Sequence, residues 1–394
     1  MPYSAIQTSD MPLAIDVHPV RTARERRTFL TFPWRIHRDD PLWVPPLLPE
    51  RAKTIDPDRG AFFKRGIADL FIAWRDGEPV GTICAAEDRF TNSQNGRHEC
   101  VFGFFDYVDD PAVAQALIDA ASTWARDHGL DVLFGPFNLD YEDAYGVLLE
   151  GRDRPPTLLC GHTPPYYVPM MERLGFTKGR PDNIALAVDI HEETPALQHL
   201  ARLAEAVRRR RDFVIRRPDL DHWDDEVDRL HGLLNAALAH LEDFVGWHRS
   251  AVEALVAPFR EIADMDLILF ADANGETIGF LPGVPNLNEA LIHVNGLRYP
   301  WNYAAAAWHL GIRPRLGHKP ACLAIKSVLV KPEYWGTGVA ALLFDTMAQR
   351  ARAKGYQWID LSITSEDNPQ TPLIAEHMGA TIYKRWRTYR KRIQ

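Results

Sequence analysis

The chain has 394 residues, of which 46% are hydrophobic and 25% charged, and a formal net charge of −8. At about 150 residues per domain the length corresponds to two or three domains. These fractions are those of a globular protein and exclude wholesale disorder, a collagen-like repeat or a disulfide-dense miniprotein. The acidic balance also argues against general binding to nucleic acid or a membrane surface. Cys84, Cys100, Cys160 and Cys322 form no C-x-x-C pair, so neither a zinc ribbon nor a redox motif is expected, and a reducing cytoplasm suits them. Met1 to Asp16 lack the pattern of a signal peptide. There is no apolar run of roughly 18 residues that would span a membrane.

Residues 1–12 read as a tail. Spaced apolar residues Phe29, Leu30, Phe32 and Trp34 then predict a helical start. A hairpin follows, from Leu70–Trp74 through Asp76-Gly77 into Val80–Ile83. Asp-Gly supplies the positive-φ residues that a tight hairpin needs. Residues 191–212 read as a linker. Its run Arg208 to Arg211 reads as a solvated helix end, with anion binding as the sharper alternative. Leu230, Leu233, Leu234 and Leu238 predict another helix, and a second hairpin turns at Asn274-Gly275 between Leu267–Phe270 and Ile278–Phe280. An insert from Leu281 to Ala321 carries Asn286, Asn288, His293, Asn295 and Trp301, with a helix-forming stretch at Tyr303 to Leu310. Leu323 to Val330 reads as a strand. Gly338 to Lys354 reads as a helix, because Val339, Leu342, Leu343, Met347 and Ala351 keep a 3.6-residue period. A strand at Trp358–Ile363, a short helix at Pro372–Met378 and a strand at Ala380–Tyr389 complete the order.

Three segments recur in register. Gly77-Glu78-Pro79-Val80-Gly81 returns as Gly275-Glu276-Thr277-Ile278-Gly279. Val113-Ala114, Leu117, Asp119, Ala125-Arg126 and Gly129 return as Val339-Ala340, Leu343, Asp345, Ala351-Arg352 and Gly355. Arg173-Leu174-Gly175 returns as His377-Met378-Gly379. The chain therefore reads as two copies of one α+β module, at 13–190 and 213–394. Each copy is expected to be a mixed, largely antiparallel sheet flanked by helices.

The strand-to-helix junction of the second copy carries readable chemistry: Val328-Leu329-Val330-Lys331-Pro332-Glu333-Tyr334-Trp335-Gly336-Thr337-Gly338-Val339-Ala340. The first turn of a helix holds N–H groups without internal partners and the positive end of the macrodipole. Glycines let a bulky anion approach that backbone. Together they make a diphosphate cradle. At this junction the second copy resembles the GNAT superfamily of acyl-CoA-dependent N-acyltransferases. The superfamily's Val-x-Pro strand end is matched by Val330-Lys331-Pro332, and its Gly-x-Gly/Ala helix opening by Gly338-Val339-Ala340, with Gly336 before it and Thr337 at a variable position. Its usual leading Gln or Arg is Trp335 here. The resemblance implies acetyl-CoA or another acyl-CoA as co-substrate, no metal, backbone contacts to the pantetheine arm around Val328 to Val330, and a contact near the thioester from Asn368. It also places Ala375 where the family often has a catalytic tyrosine.

The whole chain resembles a bacterial subfamily of tandem GNAT proteins, through Asp40-Pro41-Leu42-Trp43-Val44-Pro45-Pro46-Leu47, Pro164-Pro165-Tyr166-Tyr167, Glu366-Asp367-Asn368 and Tyr383-Lys384 with Arg387-Thr388-Tyr389. In the first copy Asp109-Asp110-Pro111-Ala112 replaces the glycine loop. Two carboxylates there repel a diphosphate and suit helix capping instead, so that copy is not expected to bind CoA. With Ala375 in the tyrosine slot, Tyr383 or water is expected to supply the proton, or the activity is weak. Candidate bases are Glu366, Asp367 and His293, with Glu366 preferred and His293 read as a packed or surface histidine. The basic tail from Lys384 to Arg392 reads as a terminal strand with one solvated face rather than an RNA contact. The expected acceptor is a small-molecule or peptide amine, without nucleic acid or membrane, and a homodimer is compatible. The rival readings are a non-catalytic CoA-binding protein of the same fold and an aminoacyl-transfer enzyme with a doubled GNAT-like fold.

Overall fold

The protein is described by a computed structural model covering residues 14–141, 143–158, 160–240, 244, 246–257, 260, 264–325, 327–368, 375 and 378–393. The strands are β1 (Asp16–Pro19), β2 (Gly66–Arg75), β3 (Glu78–Asp88), β4 (Glu99–Tyr107), β5 (Val132–Gly135), β6 (Val147–Glu150), β7 (Thr177–Lys178) and β8 (Asn183–Asp189). They continue as β9 (Phe213–Arg216), β10 (Ile268–Ala273), β11 (Glu276–Pro285), β12 (Cys322–Ile325), β13 (Leu329–Val330), β14 (Trp358–Ser365), β15 (Thr381–Arg387) and β16 (Tyr389–Arg392). This is the expected α+β architecture of two mixed sheets flanked by helices.

Both expected hairpins form. Asp76 and Gly77 have φ of 52° and 77°, and Asn274 and Gly275 have 52° and 81°. The recurring glycines have a packing reason. A Cβ on Gly81 would lie 2.7 Å from Leu117, and one on Gly279 would lie 3.1 Å from Leu343. Each copy therefore seats its long amphipathic helix, Pro111–Asp127 or Val339–Ala353, through a leucine against the hairpin glycine. In the second half Leu343, Met347 and Ala351 bury one face of the sheet. Leu230, Leu233 and Leu234 of the helix Trp223–Leu238 bury the other against Ile268, Phe270 and Phe280.

The sheets do not follow the chain. One runs β1-β2-β3-β4-β5-β16-β7; the other runs β6-β15-β8-β14-β12-β11-β10-β9, with β13 also on β11. Strand β8 thus enters the second sheet, between β15 and β14, and β16 enters the first, between β5 and β7. The strand expected at 380–389 breaks at Thr388, and its two parts serve different sheets. The tail alternates as expected, with Trp386 and Tyr389 buried and Arg390 and Arg392 exposed, but Lys384 lies on the buried side and both β15 and β16 are internal to their sheets. The Lys384 ammonium donates to the Gly151 and Arg154 carbonyls, and burial lowers its pKa to about 8. The helix expected at 372–378 falls almost wholly outside the described residues, which include only Ala375 and Met378 of it.

Candidate functional site

The strand expected at 323–330 is split. β12 pairs in parallel with β14 only from Cys322↔Trp358 to Ala324↔Asp360. Beyond that point β13 pairs with β11 while β14 continues along β8, so the two parallel neighbours part. Val328 lies in the break and Val330 ends β13. The Trp335 indole N–H donates to the Val330 carbonyl at 3.0 Å, and its ring stands edge-on to His240 at 5.0 Å. The Thr337 hydroxyl donates to the Tyr334 carbonyl at 2.6 Å.

Gly336 and Gly338 have φ of 72° and 92°, a region that disfavours side chains. Their surroundings differ. A Cβ on Gly336 would meet nothing within 4 Å, whereas one on Gly338 would come within 2.4 Å of a Val207 methyl. Gly338 caps the helix Val339–Ala353 without a side-chain hydrogen bond, so among the described residues no side-chain oxygen caps the N–H groups of its first turn at Val339 and Ala340. Val207 belongs to the helix Pro195–Arg210. Beyond Val207 this helix runs out into exposed Arg210 and Arg211, while Arg208 pairs with buried Asp345 at 2.8 Å.

The first copy shows how such a notch is closed. β4 and β5 pair in parallel only from Glu99↔Val132 to Val101↔Phe134. The Phe137 N–H then donates to the Phe102 carbonyl at 3.0 Å, and the Phe104 N–H donates to Asn138 Oδ1 at 2.8 Å. Asp110 caps its helix by accepting from the Ala112 N–H at 2.8 Å and pairs with Arg75 at 2.6 Å. The Arg75 hydrogen bond holds its carboxyl below the usual range.

The other sequence candidates are dispersed. Glu366 accepts from Lys178 at 2.5 Å, the Asp182 N–H at 2.9 Å and Arg385 at 2.6 Å. Lys178 above all lowers its pKa. A carboxylate held by three donors ties strands together and is poorly placed to take a proton. Asp367 accepts from the Ser365 hydroxyl, and Asn368 donates to the Thr364 hydroxyl at 3.0 Å. His293 stacks on His309 at 4.6 Å. Tyr383 is half-buried with its hydroxyl oxygen buried, and Trp358 stands edge-on at 5.7 Å. Burial pushes its hydroxyl well up, and Asp360, Cys160 and Cys322 lie close enough to add to the effect. Tyr383 therefore stands on the sheet near the point where β12 and β14 part.

A cavity of about 780 Å³ opens beside this face, and the two tandem-subfamily motifs of the first half meet in it. Trp43, Pro45 and Leu47 line it from one motif, and Tyr167 from the other; Phe29, Phe104 and Leu158 add apolar wall. The second half contributes Trp247, Asn288 and Leu291. Cys160, the neighbour of Tyr383, is also in the wall.

The cavity also carries charged and polar side chains, among them Glu50, Asp140 and the Arg51–Asp143 ion pair, and several of its titratable groups are perturbed. His162 Nε2 meets Asp40 at 2.8 Å, and its Nδ1 is buried without a partner among the described residues. Burial lowers the His162 pKa against the pull of Asp40. His37 stacks on Trp43 at 4.7 Å, and burial lowers its pKa to about 4. Asp106 accepts from the Tyr167 hydroxyl at 3.2 Å, and burial raises its pKa to about 6, against Tyr167 and Arg51. Both imidazoles are neutral at pH 7, as proton acceptance requires. These residues were not singled out from sequence. The available signals were an acid inside the apolar run Phe104-Phe105-Asp106-Tyr107 and a histidine just before Pro164-Pro165.

A model of the Acetyltransferase (GNAT) family matches residues 234–380. The chain is 32% identical to the bacterial ceramide synthase of Caulobacter vibrioides over 96% of this chain and 97% of that protein. The chain belongs to the GNAT family. A second GNAT-like relative, Protein YghO of Escherichia coli, is 29% identical over 93% of both chains. Among solved structures, the tandem GNAT protein from the clavulanic acid biosynthesis pathway superposes with a TM-score of 0.55 at 12% identity, covering 96% of this chain and 98% of that one. A GNAT protein from Sphaerobacter thermophilus gives 0.50 at 12% identity, covering 96% of both chains. At such identities the likeness is one of fold. It extends through both halves of the molecule, in keeping with the tandem GNAT organisation.

Proposed function

We propose that this GNAT protein is an acyl-CoA-dependent N-acyltransferase whose acceptor is a long-chain amino alcohol. The full-length likeness to a ceramide synthase carries this reading, since a ceramide is the amide of such an amine. The cavity suits it, with aromatic and aliphatic wall (Phe29, Trp43, Phe104, Leu158, Leu291) for a hydrocarbon chain and polar and charged side chains, Asp106 and His162 among them, for the head. The CoA diphosphate is assigned to Gly336, Thr337, Gly338 and the first turn at Val339 and Ala340, where the space beside Gly336 is open and the helix has no side-chain cap. Arg210 and Arg211 add positive charge. The pantetheine arm is assigned to the parting of β13 and β14, beside Val328, with Asn368 toward the acyl end. The Val330 carbonyl already accepts from Trp335, so Trp335 swings away on binding or Val328 takes the contact.

In this scheme the ammonium docks at Asp106 and loses its proton to His162, which Asp40 orients. The amine nitrogen then attacks the thioester carbonyl; the C–N bond forms, the C–S bond breaks, Tyr383 gives its proton to the departing thiolate, and the second proton of the nitrogen returns to the Tyr383 phenolate as the amide forms. Glu366 holds strands rather than protons. The test incubates the full chain with acetyl-CoA or palmitoyl-CoA and either a C18 amino alcohol or ethanolamine, reading free thiol and amide mass. The expected result is at least a tenfold higher kcat/KM for the long amine, since each buried methylene contributes about 0.8 kcal/mol. Equal turnover of ethanolamine would overturn the acceptor assignment, and no thiol release with any pair would overturn acyl transfer.

A further inference from the structure

The insert after β11 forms a helical arm, held at its middle by His309 stacked on His293 at 4.6 Å. Pro300–Ala306 is α-helical, Ala307–Ile312 continues as a π-helix, and Arg313–Arg315 closes it. Large apolar side chains along it are exposed: Trp301 at 66%, Tyr303, Trp308, Leu310, Ile312, and Leu316 at 63%. Singly exposed apolar residues are ordinary, but a cluster of six on one element marks an interaction surface.

The arm's charge identifies what it meets. The chain carries −8 overall, yet no Asp or Glu occurs between Glu289 and Glu333. Arg313, Arg315 and Lys319 lie on or just past the arm, and Arg298 at its base. Exposed tryptophan and tyrosine beside arginine and lysine are the composition of helices that lie in the headgroup region of an anionic bilayer. The arm is too short and too charged to span one, and among the described residues no helix is long and apolar enough to do so.

Its root is wall of the cavity. Leu291 lines the cavity. The Trp34 indole N–H donates to Asn295 Oδ1 at 2.6 Å, and Trp34 packs edge-on against Trp43, another lining residue, at 5.2 Å. A surface that seats the arm in lipid therefore brings the cavity close to where an amphiphilic amine resides.

We propose that the 300–316 arm docks the protein peripherally on anionic membranes. This inference goes beyond the proposed activity, and its test needs no turnover. The full chain is floated with vesicles of phosphatidylcholine alone or with about 30% phosphatidylglycerol, and tryptophan emission is followed. The expected result is binding to the anionic vesicles with a blue shift and loss at high salt. Trp301→Ser/Trp308→Ser/Leu316→Ser should abolish binding. Arg313→Glu/Arg315→Glu should weaken it about tenfold or more, at about 1 kcal/mol per cation. Trp301, Trp308, Arg315 and Leu316 are exposed and Arg313 is half-buried, so both variants are expected to fold, which circular dichroism verifies. Absence of flotation, or unchanged flotation of both variants, overturns the proposal. So does a dimer in sedimentation velocity that the triple variant dissolves, because the arm would then cover a second copy of the chain. Acyl transfer to a soluble amine is measured separately on the same variants, so a failure of docking and a failure of acyl transfer give different results.

Discussion

A carboxylate on a cavity wall carries a cost in the empty protein. The pKa of Asp106, raised to about 6 by burial, lies above the unfolded value of about 3.9. The ionised form is thus destabilising above pH 6, and the penalty fades as pH falls through 6 toward 4. Asp106→Asn should therefore stabilise the protein at pH 7.5 by about 1–3 kcal/mol, and the gain should shrink toward zero at pH 4. Denaturant melts of both proteins across this range test it; a gain that is flat with pH would show that the carboxyl is not perturbed. The same variant should raise the KM of the amine acceptor, since the group that costs stability is the one assigned to its ammonium. Asp40 was legible as the head of a subfamily motif, but its pairing with His162 was hidden in sequence for a related reason. They lie 122 residues apart, and no spacing rule links a histidine before a proline pair to an aspartate opening a distant loop.

The loop and helix that carry the family likeness were legible, because strand end, glycines and helix period are all local. Their two glycines look equivalent in the sequence and have different surroundings in the structure. Gly338 is pressed by Val207, whereas Gly336 faces open space. Gly338→Ala should cost about 2–4 kcal/mol from overpacking and left-handed backbone together. Adding Val207→Ala should recover the packing part, as denaturant melts of single and double variants would show. Gly336→Asp should leave folding nearly intact but weaken CoA binding at least tenfold, while Gly336→Asn, similarly tolerant of the backbone, should weaken it far less. Calorimetry with CoA separates them; equal affinities for both would remove the diphosphate from this loop. The helix Pro195–Arg210 shows what local patterns miss. Its arginine run reads as solvated, and Arg209 does pair with a neighbouring glutamate along the helix. Arg208, however, reaches buried Asp345, 137 residues on.

At the scale of the molecule, the duplication was visible and the strand exchange was not. Internal similarity reports which residues repeat, while sheet partners are chosen by which edges lie open nearby. Because β8 serves the second sheet and β16 the first, a cut between residues 190 and 213 leaves β14 without its neighbour β8, and β5 and β7 without β16. Open edges of that kind aggregate. Residues 213–394 expressed alone should be insoluble or molten, and coexpression with residues 1–212 should restore a soluble pair. A folded 213–394 fragment with a sharp melting transition would show the halves to be independent. The exchange also sets a clock on biosynthesis. β7 leaves the ribosome about 200 residues ahead of β16, and at 5–20 residues per second the gap lasts roughly 10–40 s. For that interval the nascent amino-terminal half exposes bare strand edges, so cells growing slowly or lacking holdase chaperones should lose a larger share of this protein to premature clumping than of a neighbour whose domains mature one after another.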